Sequence, residues 1–112
     1  MIILPRTYAT VPKLIITNEG DTWTGVAEGR LDTVSSAQFE NDMQPLLDNA
    51  DKKVVLDCTN LEYISSSGLR LLLVLLKACK AKGGKMVIKH INNELKSVFT
   101  ITGFFNLFTI EE

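Results

Sequence analysis

Two apolar runs flank a cluster of hydroxyls at the centre of this chain. Val54-Val55-Leu56-Asp57-Cys58 is apolar apart from Asp57, and Leu69 to Leu76 is apolar apart from Arg70. Between them stands Tyr63-Ile64-Ser65-Ser66-Ser67-Gly68. A near-continuous apolar strand is one covered on both faces, inside a sheet. A helix of about 15 residues after it, from Ser67 to Ala81, returns the chain to a neighbouring parallel strand by a right-handed crossover. With 46% apolar residues in 112, the chain sustains one hydrophobic core in one domain.

The other elements follow from local signals. Lys13 to Thr17 and Thr22 to Glu28 read as two strands of a hairpin around Asn18-Glu19-Gly20-Asp21. Gly25, inside the second strand, marks a bulge or a close approach. Residues 1–12 read as an edge strand or a loose N-terminal segment. Ser35 and Gln38 have the spacing of a capping box, with Val34 and Phe39 as its hydrophobic staple. Phe39, Met43, Leu46 and Leu47 share a helical face, which Pro45 kinks or breaks into a short second piece. Gly83-Gly84 stops the long helix, whose end carries Lys77, Lys80 and Lys82. Met86-Val87-Ile88 is the next strand, and Asn92 or Asn93 caps a last helix ending at Gly103. Leu107, Phe108 and Ile110 close the chain as a short strand or packed tail. The fold class is α/β: a mixed sheet of four to five strands with helices packed against it.

Several functions are disfavoured by composition. A net charge of −1 lacks the basic excess of a general nucleic-acid binder. Cys58 and Cys79 form no Cys-x-x-Cys pair, and His90 is the one histidine, so neither a metal site nor a cofactor is expected. Both cysteines lie in apolar runs, which reads as a reduced, cytoplasmic chain. The apolar start stops at Pro5, short of a signal peptide, and Lys77 ends an apolar run too short to span a membrane. A serine hydrolase would need Gly-x-Ser-x-Gly, which is missing. A receiver-type phosphoacceptor at Asp57 would need further acids beside it, whereas Glu19 and Asp21 fall in a hairpin turn. No catalytic residue is expected.

The serines carry the functional question. At a helix start they meet N–H groups without helical partners and a partial positive charge. Plain capping and a phosphorylation switch both suit such a place, and the residues leave both open.

Three local patterns bring a family resemblance. Gly29-Arg30-Leu31-Asp32 leads into a helix; Val54-Val55-Leu56-Asp57 leads into Ile64-Ser65-Ser66-Ser67-Gly68-Leu69; Phe99-Thr100-Ile101-Thr102-Gly103-Phe104 ends a helix at glycine. Over roughly residues 13–110 the chain resembles the STAS domain, and more closely the stand-alone bacterial anti-sigma factor antagonists. The family loop usually reads Asp-Ser-Ser-Gly-Leu or Asp-Ser-Thr-Gly-Leu. The resemblance makes Ser66 the phosphoacceptor, with Ser65, Ser67, Gly68, Leu69 and Asp32 in the partner-binding loop and helix start. Ser65 departs from the family, which has Asp there. Partner switching is implied: the unmodified protein binds an anti-sigma factor serine kinase, phosphorylation releases it, and a phosphatase resets it. The alternative within the family is an unphosphorylated adaptor subunit of a lipid-transport or signalling complex. Oligomeric state is left open.

Overall fold

The computed structural model describes residues 13–111, so the expected edge strand or loose segment at 1–12 lies outside the described residues. Five strands form one mixed sheet in chain order: β1 Lys13–Glu19, β2 Thr22–Leu31, β3 Lys53–Ile64, β4 Lys85–Lys89 and β5 Thr109–Glu111. β1 and β2 pair antiparallel as the expected hairpin, and every later pairing is parallel. The helices are α1 Ser36–Asp42, α2 Gln44–Asp48, α3 Ser66–Lys82 and α4 Asn93–Ile101, followed by a 3₁₀ turn at Phe104–Asn106.

Local chemistry sets most boundaries. Pro45 ends α1 and sits in the first turn of α2, where its missing N–H costs nothing. Asn92 caps α4 by accepting from Leu95 N–H at 2.8 Å. Gly83, at φ 82°, ends α3, and Gly84 N–H closes the motif on Cys79 C=O at 2.8 Å. Gly25 is a close approach: a methyl carbon there would lie 3.0 Å from Leu14 and 3.1 Å from Leu46. Trp23 is a sheet residue, half-buried against the core.

Two expectations need correction. Ser35 precedes α1 but makes no capping bond to it, and Gln38 donates instead to Asp42 at 2.9 Å. Ser35 is taken up by Asp32, whose backbone N–H donates to Ser35 Oγ at 3.0 Å. The proposed staple is absent, because Val34 is 91% exposed. The second correction concerns β3, which runs on to Ile64 where a loop was expected. Two register shifts against β2 place the extra residues of β3 in bulges. Asp57 Oδ1 holds the first one, accepting from Thr59 N–H at 3.0 Å and Thr59 Oγ at 2.7 Å.

α3 is the centre of the core. Leu69, Leu72, Leu75 and Cys79 are buried against Leu31, Val54, Leu56, Ile64 and Ile88, with Phe39 and Leu46 from α1 and α2 joining the cluster. Val55 and Val87, on the opposite side of the sheet by strand alternation, are buried outside it. Cys58 and Cys79 are free and buried.

Candidate functional site

The serine cluster forms the junction of β3 and α3. Ser65, in extended conformation, is the cap of α3, accepting from Gly68 N–H at 3.2 Å. Its backbone N–H donates to Leu31 C=O at 2.8 Å, and its C=O accepts from Leu69 N–H at 2.9 Å. Ser65 is therefore tied to β2 and to the helix at once. Its hydroxyl fills the capping role open to an Asp at that position.

Ser66 is the first residue of α3 and is exposed. Its hydroxyl has no hydrogen bond among the described residues. Ser67 is half-buried beside it. Gly68 and Leu69 turn inward: both are buried, and a methyl carbon on Gly68 would fall 2.7 Å from Leu31 Cγ and 2.8 Å from Ile64 Cγ1. Their side of the helix supports the loop from beneath.

Asp32 lies in the turn after β2, next to this junction through the Ser65–Leu31 bond. Its carboxylate accepts from Ser35 N–H at 3.0 Å and Ser35 Oγ at 2.9 Å. Those bonds, the backbone one foremost, hold its carboxyl below the usual carboxylate range. The acid thus fixes the turn, while Val34 two residues on is left outside.

Further residues at the site were not singled out from sequence. Arg70 stands one helical turn after Ser66, exposed, and i,i+4 spacing is the signal that would have found it. Arg30 lies over the Tyr63 ring at 4.4 Å, across the β2–β3 ladder just before the junction. That pairing depends on the bulged register, which the sequence pattern hides.

Asp57 and His90 meet away from the serines, with Oδ1 and Nδ1 3.1 Å apart. Burial works to raise the Asp57 pKa, but the Thr59 and His90 contacts outweigh it and leave the carboxyl below its ordinary range. Thr59 Oγ donates to Asp57 and not to His90, so no hydroxyl is set up as a nucleophile there. Burial pushes the Cys58 thiol up to about 12. Among the described residues no group of three or more His, Cys, Asp or Glu is placed to hold a metal ion, and no helix is long and apolar enough to cross a membrane.

Comparison with known proteins bears on this geometry. The STAS domain family model matches residues 26–112. A Bordetella bronchiseptica protein carrying the name anti-sigma factor antagonist BtrV is 31% identical over 83 residues, 74% of this chain and 72% of that protein. An anti-sigma factor antagonist from Mycobacterium paratuberculosis superposes with a TM-score of 0.79 at 15% identity, covering 90% of this chain and 86% of that one. The Bacillus cell fate determinant SpoIIAA in its phosphorylated form gives 0.67 at 16% identity, covering 89% and 92%. At such identities the two structures speak for the fold alone.

Proposed function

The chain belongs to the STAS domain family, and we propose that it is an anti-sigma factor antagonist switched by phosphorylation of Ser66. One observation carries this reading. In a cluster of three serines, Ser66 alone is exposed, and its hydroxyl makes no hydrogen bond among the described residues. A kinase can reach it, and modifying it breaks nothing inside the domain.

The cycle is one of partner switching. Unmodified protein binds an anti-sigma factor serine kinase and so frees the sigma factor. In the complex Ser66 Oγ attacks the γ-phosphorus of ATP; the new O–P bond replaces the bond to the β-phosphate oxygen, ADP leaves, and the hydroxyl proton is lost. The product adds about −1.5 to −2 charges. At the start of a 17-residue helix that charge is tolerated, and Arg70 stands one turn away to receive it. A partner surface shaped over a neutral serine would have to bury the dianion, so the complex parts. A phosphatase returns the hydroxyl.

The test is calorimetric titration against the anti-sigma factor kinase, with phosphopeptide mapping. Ser66→Ala binds within about twofold of wild type, and its stability stays within about 0.5 kcal/mol. Ser66→Asp stays folded but weakens binding by on the order of 2–4 kcal/mol, roughly 30- to 1,000-fold. Label on Ser65 or Ser67 alone, or equal binding by authentic phospho-Ser66 protein, would defeat the proposal. One feature favours the unphosphorylated adaptor instead: Ser65 stands where the family loop has Asp. Absence of phosphate on Ser66 after incubation with ATP and the cognate kinase would select that reading.

A further inference from the structure

A cleft of about 250 Å³ lies between the end of β3 and α4. That is below the roughly 300–1,000 Å³ of small-molecule sites and suits a side chain of a larger partner. The strand edge beside it is open. The pairing of β3 with β4 stops at Asp57 and Lys89, while β3 runs on to Ile64. The Asn92 side-chain amide donates to Leu61 C=O at 3.3 Å and so takes up the edge at Leu61. Glu62 is passed over by β2 as well, since Gly29 pairs with Leu61 and Arg30 with Tyr63. From Glu62 to Ile64, β3 therefore has no strand neighbour on the side away from β2 among the described residues.

The cleft is apolar within and acidic at its mouth. Ile64 and Leu95, each 1% exposed, and half-buried Val98 line it together with Glu62 and Glu94. Glu94 and Val98 are one turn apart and so share one face of α4. Both glutamates are exposed, and neither has an ion pair among the described residues. Two unneutralised carboxylates over an apolar floor select a long cationic side chain: its methylene stem lies on the apolar atoms and its head meets the acids. The place of the cleft selects the owner of that side chain. Ser66 follows Ile64 after one intervening residue, within about 7 Å of chain, so a protein that covers Ser66 covers this cleft.

We propose that this cleft docks an extended segment of the anti-sigma factor kinase, which lays an arginine or lysine against Leu95 and Val98 with its head at Glu62 and Glu94. The inference deepens the switch reading and rests on it: the cleft holds the partner while Ser66 faces its ATP.

The experiment is calorimetric titration of the cognate kinase with three proteins: wild type, a cleft variant with Glu62→Gln and Glu94→Gln, and a turn variant with Glu19→Gln and Asp21→Asn. The turn variant loses the same charge in the β1–β2 turn, the length of β2 away from Leu31, about 30 Å at ~3.3 Å per residue. The cleft variant binds the kinase roughly tenfold more weakly than wild type. The turn variant stays within about twofold, its charges lying beyond a Debye length. Added salt weakens wild type more than the cleft variant. Both cleft acids are exposed, so the melting temperature holds. Should the double variant melt lower, Glu62→Gln alone carries the comparison, with a loss of about threefold. The proposal fails while the switch reading stands if the kinase labels Ser66 of wild type and binds the cleft variant unchanged, or if the turn variant loses as much. No binding of the kinase by wild type defeats both.

Discussion

Replacing Gly68 with alanine separates two roles for the residue after the serines. If Gly68 only faces a partner, Gly68→Ala weakens the complex and leaves the free protein alone. The packing argues otherwise. A methyl carbon at Gly68 would meet Leu31 Cγ at 2.7 Å, Ile64 Cγ1 at 2.8 Å and Leu31 Cδ2 at 2.9 Å. Leu31 is 0% and Ile64 1% exposed, so neither side chain has open space to move into. Two of the three clashing atoms are mid-chain carbons of buried residues, which shift only with their neighbours. Overpacking of this kind costs about 1–3 kcal/mol, and three simultaneous clashes argue for the upper half of that range. Against it stands the gain in helix propensity on replacing glycine, at most about 1 kcal/mol. The steric term wins, leaving a net loss of about 1–2 kcal/mol, or roughly 4–8 °C in melting temperature.

Urea and thermal unfolding of the two proteins measure this directly, and a double-mutant cycle checks the cause. Leu31→Ala removes two of the three clashing atoms at a cost of about 2–5 kcal/mol by itself. In that background Gly68→Ala keeps only its clash with Ile64 Cγ1, so its penalty shrinks, giving a favourable coupling of about 1 kcal/mol or more. A Gly68→Ala protein that melts at or above wild type would refute the reasoning. So would additive single and double variants.

Three more outcomes follow from the same coordinates. Gly84→Ala places a methyl carbon onto the backbone carbonyl of Ala50, which cannot swing away, so denaturant unfolding records a larger loss than for Gly68→Ala, about 2 kcal/mol or more. Ser65→Ala costs about 1 kcal/mol as the cap is lost, whereas Ser65→Asp keeps an acceptor at a helix start and unfolds within about 0.5 kcal/mol of wild type. In the fold the Asp57 and Asp32 carboxyls both lie below the ordinary aspartate range, so their contribution is present above that range and is lost as pH falls through the lower folded values. Urea midpoints taken between neutral pH and acid therefore decline below pH ~4, and Asp57→Asn flattens the decline.

What was legible in the sequence was local. The stop at Gly83, the kink or break at Pro45 and the cap at Asn92 or Asn93 each depend on residues within one turn; Gly83 stands as the residues imply, and the fold selects the break and Asn92. The end of β3 was not legible. Cys58, Leu61 and Ile64 are its buried positions, and a recurrence of every third residue is closer to a helix period than to a strand's. Bulges produce that spacing, and the bond that sets one of them, Asp57 to Thr59, joins residues with no strand signature. The failed staple has a similar cause: Ser35 had a second suitor in Asp32, and capping-box spacing says nothing about competition. Lys53 beside Lys85 was beyond reach for another reason. Those residues are brought together by strand register alone, a long-range property.

The division of labour among the serines would let the proposed phosphate be added at the start of α3 without unfolding the domain. Ser65 holds three bonds, to Leu31, Gly68 and Leu69, and so carries the junction between sheet and helix. Ser66, the next residue, makes no side-chain bond among the described residues and faces solvent. A phosphate on Ser65 would abolish the cap and crowd a half-buried site; on Ser66 it enters water beside the positive end of α3. Position in the turn, one residue either way, therefore decides whether modification reads as damage or as signal. Ser65 in place of the family's Asp fits the same scheme, because the fold needs an acceptor at the cap and a hydroxyl supplies one. Ser65→Asp measured for stability and for phosphorylation rate in parallel separates a capping role at this position from a role in partner recognition.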